Sequence, residues 1–311
     1  MPPKNAMDLT HKVKAGLDEL RMLTLGCQVL VGFQFQAVFQ ELFADLPDHA
    51  KVANIAGLLL MILAVGLLMA PGIHHALYGD HQATRGVAHM TSRMADWALP
   101  PFALSLGLDV LIGAEQVYGT AAGVAGGLAF AALALGAWLG WGLLARSRHG
   151  RKEREMADLR GDETADVGQK ITFMMTEART ILPGAQAMLG FQLAVVLTKA
   201  FAGLSPPEKA LHAAALGCVA LSIILLMAPA AYHRLVYAGE ASPRFLTVAS
   251  RLVTAATLPL GAGMAADAAV TIGFILDSAM AGAVAGGSVL LVLALLWYAH
   301  PWRLLRRRLV T

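Results

Sequence analysis

A single spacing runs through this chain: residues between 19 and 109 return 158 positions later. Glu19 and Arg21 recur as Glu177 and Arg179, and Gly26 and Gln28 recur as Gly184 and Gln186. Gly32-Phe33-Gln34 recurs as Gly190-Phe191-Gln192, and LLMAP at 67–71 as LLMAP at 225–229. His75 and Leu77 match His233 and Leu235, Ser92-Arg93 matches Ser250-Arg251, Pro101 matches Pro259, and Asp109 matches Asp267. One constant offset requires the segments and connections between these points to have the same lengths twice. The chain is expected to be one unit used two times. Beyond Asp109 the copies drift by a residue or two, yet both keep ladders of small residues, Gly119, Gly123 and Gly127 in one, Gly282 and Gly286 in the other. Such ladders let helix backbones approach closely in a membrane.

The unit is oily. Of 311 residues, 57% are hydrophobic and 14% charged, with a mean hydropathy of +0.60. Soluble domains carry about a quarter charged residues, so the charge here must be confined to connections. A helix crosses the bilayer with about 20 mostly apolar residues. Eight runs meet that need, at 22–40, 52–71, 94–113, 121–144, 180–199, 210–229, 252–275 and 280–299. The third and seventh are the least apolar, holding Pro100, Pro101 and Asp109, or Pro259 and Asp267. The expected fold is all-α and polytopic, eight transmembrane helices in two four-helix repeats. An even number of spans per copy gives both the same orientation, so a pseudo-two-fold axis along the membrane normal is expected between them.

Basic residues fall in alternate connections. The arm 1–21, the loop 72–93, the linker 145–179, the loop after 229 and the tail 300–311 are rich in Arg and Lys; the other connections hold Lys51, Lys199 and Lys209 against six acids. The positive-inside rule then places both termini and the linker in the cytoplasm, as in a bacterial inner-membrane protein. The domains expected are an arm at 1–21, membrane repeats at 22–144 and 180–299, the charged linker 145–179 and the basic tail 300–311. The arm lacks the apolar core of a signal peptide. The linker reads as a solvated helix or connector, and its basic cluster could hold anionic lipid headgroups. The net charge of +3 comes without a soluble stretch long enough for nucleic-acid recognition.

The pattern E-x-R, G-x-Q, G-F-Q, then L-L-M-A-P-x-x-x-H resembles a bacterial family of small four-span membrane proteins of unknown function, whose members carry one such unit. MAPAAYHRL at 227–235 is the closer match, while MAPGIHHAL at 69–77 departs at His74 and Ala76. The resemblance implies a tandem fusion of two units. Automated labels for such proteins include sodium:proton antiporter, but the resemblance brings no site residues with it.

Polar groups within the apolar runs are the candidate site. Gln28, Gln34, Gln186 and Gln192 each need a partner inside hydrocarbon, either as interhelical glue or as the lining of a path or pocket. Gln28 and Gln34 point roughly 120° apart on a helix. Asp109 and Asp267 lie toward the outer ends of their spans; there they either reach water or, if buried, could carry protons. Glu19, Arg21 and Arg93, with Glu177, Arg179 and Arg251, gather at the cytoplasmic rim as a clamp or a gate, with Glu19 within reach of Arg93. His75 and His233 close spans two and six; a histidine pair could pack, titrate near neutrality or ligate haem. Glu41 and Lys199 occupy equivalent positions on the outer side and could pair across the two halves. No phosphate-binding loop, nucleophile–base pair or zinc-ligand cluster appears, so no enzyme activity and no cofactor are expected.

Overall fold

The computed structural model describes residues 4–78, 85–140, 161–237 and 242–299. Nine helices and no strand occur among them. They are α1 (Lys4–Ala37), α2 (Asp48–Tyr78), α3 (Arg85–Tyr118), α4 (Thr120–Leu135), α5 (Gly161–Val195), the short α6 (Lys199–Ala202), α7 (Pro206–Tyr237), α8 (Pro243–Leu276) and α9 (Ala279–Ala294). Both α4 and α9 end in a single π turn, Gly136–Gly140 and Leu295–Ala299.

Six of these helices are long and apolar enough to cross a membrane: α2, α3, α4 with its π turn, α7, α8, and α9 with its π turn. The sequence suggested eight. Helices α1 and α5 are long enough, at 34 and 35 residues, but their apolar stretches are diluted. Gln28, Gln34 and Gln36 interrupt α1, and Arg179, Pro183, Gln186 and Gln192 interrupt α5. Helix α5 begins at Gly161, so the second part of the expected linker 145–179 is helical. Residues 141–160 and the tail 300–311 lie outside the described residues.

Equal lengths in the sequence become equal corners in space. Lys51 Nζ donates to the Ala44 carbonyl at 2.7 Å, and Lys209 Nζ donates to that of Ala202 at 2.8 Å, 158 residues on. The α3–α4 corner turns on Gly119 (φ +83°), and the α8–α9 corner turns on Asp277 (φ +47°) at the equivalent position. Positive φ suits Gly, and Asp is among the few other residues that accept it readily. Past each corner the helices close tightly. A Cβ on Gly127 would lie 2.7 Å from the Gly107 carbonyl, and one on Gly286 the same distance from that of Ala265.

Within each half the packing partners correspond. Helix α2 packs on α1 and α3, as α7 packs on α5 and α8; α3 pairs with α4, as α8 pairs with α9. Helices α1 and α5 pack against each other, and one apolar core runs through both halves, from Leu23 and Leu30 to Leu182 and Leu189.

The contacts between halves are another matter. A two-fold axis requires each of them to occur twice with the halves exchanged. Gly26 lies against the Gln186 side chain and Gly190 against the Phe33 ring, yet nothing stands within 4 Å of a Cβ on Gly184 or Gly32, the exchanged positions. Helix α7 packs on α3 and α4, whereas α2 has no comparable packing on α8 or α9. The relation between halves therefore departs from the expected pseudo-two-fold. Most of the contact is head-to-tail, one surface of the first half meeting a different surface of the second, while Phe33 with Phe191 and Glu41 with Lys199 join equivalent positions.

Candidate functional site

Gln34 sits three residues before the end of α1, and Asn54 six residues into α2. Asp109 lies nine residues before the end of α3, about 13 Å below that corner at 1.5 Å per residue. All three are buried, with Ser105 one turn from Asp109 on the same side of α3. Gln34 Nε2 donates to both Asp109 carboxylate oxygens, at 2.9 and 3.1 Å, and to Ser105 Oγ at 3.0 Å. Ser105 Oγ in turn donates to the Gly57 carbonyl at 2.9 Å. Three helices are thus joined through one amide and one hydroxyl.

The network is incomplete. Gln34 Oε1 and Asn54 Oδ1 are buried without a hydrogen-bond partner. Both residues and Asp109 line a cavity of about 20 Å³, together with apolar side chains that include Phe33 and Leu193. That space suffices for a water molecule, which needs polar partners of this kind. A carboxylate, two amide oxygens and a hydroxyl offer oxygen donors to a proton, a water or a small cation.

The second half repeats the core of this arrangement. Gln192 Nε2 donates to Asp267 Oδ2 at 2.7 Å. Here His212 replaces Asn54 and Gly263 replaces Ser105 at the equivalent positions. His212 Nε2 stands 3.1 Å from the Gln192 carbonyl oxygen, and Nδ1 stands 3.2 Å from Asp267 Oδ1. A carbonyl only accepts, so Nε2 must carry a hydrogen. The imidazole thus faces the carboxylate within ion-pair distance, although Asp267 Oδ1 accepts no hydrogen bond.

The other polar residues named from the sequence scatter. Gln28 is exposed, with Met69 sulfur 3.7 Å away as its acceptor. Gln186 is fully buried with neither amide atom hydrogen-bonded, its side chain filling the space above Gly26. Arg21, Arg93, Glu177 and Arg251 are exposed, Arg179 is half-buried, and Glu177 and Arg251 form no ion pair with each other. The side chains of Glu19 and His75 lie outside the described residues, and with them the Glu19–Arg93 pair and any approach of His75 to His233. His233 packs against Phe245, ring centres 4.6 Å apart. Glu41 does meet Lys199 across the halves, but through the backbone: its Oε2 accepts from the Lys199 amide N–H at 2.9 Å. The expected side-chain ion pair is replaced by capping of the short α6.

Several participants carry no obvious signal in the sequence. Ser105, Asn54 and His212 were missed because the residue type changes between copies, although the shared position of Asn54 and His212 could have marked them. A third cluster belongs to the first half alone. Glu115 accepts from Thr120 Oγ1 at 2.8 Å and meets His49 Nε2 at 2.7 Å, near the α3–α4 corner. Further polar contacts cross between halves, including Leu42 N–H to the Leu197 carbonyl at 3.0 Å and Tyr118 Oη to the Ala210 carbonyl at 3.4 Å. Trp138 Nε1 donates to the Ile224 carbonyl at 2.9 Å, and Arg234 Nε to Asp96 Oδ1 at 3.1 Å. No group of three His, Cys, Asp or Glu side chains suited to a metal ion occurs among the described residues.

Residues 6–141 and, separately, residues 163–301 match the profile of a family of unknown function, DUF6328. The chain belongs to the DUF6328 family. The two matches meet the profile one after the other, in step with the repeat, and each takes in one Gln–Asp pair. No curated protein and no solved structure matches this DUF6328 chain.

Proposed function

We propose that this chain is an eight-span inner-membrane protein whose two units face the same way, and that it moves a small solute or ion with Asp109 and Asp267 as its protonatable centres. Helices α1 and α5 complete the eight, docked on apolar neighbours that cover part of their polar surface. Both termini lie in the cytoplasm on this reading, as the arrangement of basic residues requires.

One observation carries the transport reading. A carboxylate held by Gln34 inside a membrane-spanning helix shares a cavity with two unpartnered amide oxygens. Ionisable side chains at such depth are costly and mark ion or proton paths by default. A purely structural amide–acid pair would be served by a closed network, and this one is left open. The equivalent Gln192–Asp267 pair, with His212 Nδ1 3.2 Å from the carboxylate, gives the second unit its own centre.

The test is reconstitution into liposomes loaded with a pH-sensitive dye. Expected is proton movement on a pH jump that Asp109→Asn with Asp267→Asn abolishes. Flux indifferent to both substitutions removes the carboxylates from the mechanism.

A second reading, a membrane scaffold that transports nothing, is favoured by the seam between α1 and α5. Its inner half is packed with Leu23, Cys27, Leu30, Leu182 and Leu189, with the Gln186 side chain buried against Gly26 among them. Tightly sealed liposomes showing no flux for any ion tried would decide for the scaffold.

A further inference from the structure

The interface between the two units uses one surface of each, and the complementary surface of each is left open. On the first unit the used surface comprises Gly26, Phe33 and Trp138; on the second it comprises Gln186, Gly190 and the carbonyl of Ile224. Shifting each by one repeat gives the unused counterparts. The second unit presents Gly184 with nothing within 4 Å of a Cβ, Phe191, 62% exposed beyond the edge of its ring that meets Phe33, and Trp297 on its π turn. The first unit presents Gln28, exposed, and Gly32 and Gly66, each with nothing within 4 Å of a Cβ.

Every knob thus has an empty hole of matching kind at the opposite end of the molecule. Gln28 corresponds to the Gln186 that fills the space over Gly26, and Gly184 is the equivalent of Gly26. Phe191 corresponds to the Phe33 that covers Gly190, and Gly32 is the equivalent of Gly190. The helix faces agree. On α7, Ala220, Ile224 and Met227 are buried, the Ile224 carbonyl against Trp138, while their equivalents on α2, Ile62, Gly66 and Met69, are exposed.

We propose that these two open surfaces bind each other between copies of this chain. The α2 face of one copy seats on the α8–α9 face of the next and repeats the contact that already joins the two units within a chain. A heterologous contact of this kind propagates until it closes. With all units facing the same way in the membrane, repetition turns about the membrane normal and closes as a ring. Such association needs two like units and is independent of whether they move anything.

The contact between chains differs from the one within a chain in more than one respect; Tyr118, which donates to the Ala210 carbonyl at 3.4 Å, has Leu276 at the equivalent position. The Asp96–Arg234 ion pair has Thr254 and Ala76 at the equivalent positions. The intramolecular joint is therefore the stronger, and the open surfaces are left for the neighbour.

Cysteine pairing in native-like bilayers tests this directly. In a background of Cys27→Ala and Cys218→Ala, one chain carries Gln28→Cys and another carries Gly184→Cys. Expected on mild oxidation is a disulfide-linked dimer when the two are coexpressed, and none from either alone. A dimer from Gln28→Cys alone would mean a self-complementary contact and would overturn the proposal. So would a single-chain mass for the native protein released from lipid nanodiscs into the mass spectrometer. Gly66→Leu supplies the second arm: its side chain enters open space, so thermal unfolding should be unchanged while cross-linking falls about tenfold or more, as overpacking an interface demands. Undiminished cross-linking in Gly66→Leu would also count against it.

Discussion

At the scale of single residues, the decisive contrast is between two acids with the same neighbour and different surroundings. Asp109 has Gln34 as its donor, whereas Asp267 has Gln192 and His212. Removing the donor from a buried carboxylate leaves a desolvated group unsatisfied, at a cost of about 2 kcal/mol or more. Gln34→Leu should therefore lower the unfolding temperature in detergent clearly more than Gln192→Leu, since His212 remains for Asp267. Combining Gln34→Leu with Asp109→Leu should recover part of the loss, because removing both partners is milder than orphaning one. Trp138 offers a simpler case: Trp138→Phe keeps the ring against Phe102 but drops the bond to Ile224. About 1 kcal/mol of stability should go with it, measurable as a small downward shift in the same experiment.

At the scale of helices, much of what the sequence declares is realised, and its gaps have physical causes. Apolar runs and proline positions locate the helices well, since burial in lipid needs length and hydrophobicity above all. The glycine ladder of α4 foretells close approach, and α4 does meet α3 backbone to backbone. Gly127→Val should accordingly destabilise the protein by about 1–3 kcal/mol. Gly136→Ala, with nothing within 4 Å of its new methyl, should be neutral or slightly stabilising in the same unfolding measurement. Partner choice is less legible. Gln28 and Gln34 look alike along the chain, and only the rotation of α1 against α2 and α3 decides that one faces outward and the other reaches Asp109. Ser105 is invisible for the same reason: a serine in an apolar helix announces nothing until a glutamine arrives from another helix.

At the scale of the whole molecule, the repeat was plain and its geometry was not. Identical lengths fix the number of units but leave open the rotation between them, which depends on which faces dock. The offset therefore suggested a symmetry that Gly26, Gly190 and Trp138 do not obey. Topology is the next quantity to measure: reporters fused to either end should both be active in the cytoplasm, and opposite results would remove the same-facing arrangement. The Asp96–Arg234 pair belongs at this scale too, because it joins the two units. Asp96→Arg and Arg234→Asp should each cost about 2 kcal/mol, and the double exchange should return part of it.

That pair also bears on why the two copies are joined in one polypeptide. When a single unit assembles with itself, each substitution lands on every copy at once, so a lysine or an acid gained on one side is gained on all. Fusion lifts that restriction. Asp96 can keep its charge while Thr254 has none, and the pocket beside Gln192 can recruit a histidine while its sister retains Asn54 and Ser105. The covalent join leaves each unit free to differ from the other, and the unlike chemistry of the twin acid sites is where that freedom is used.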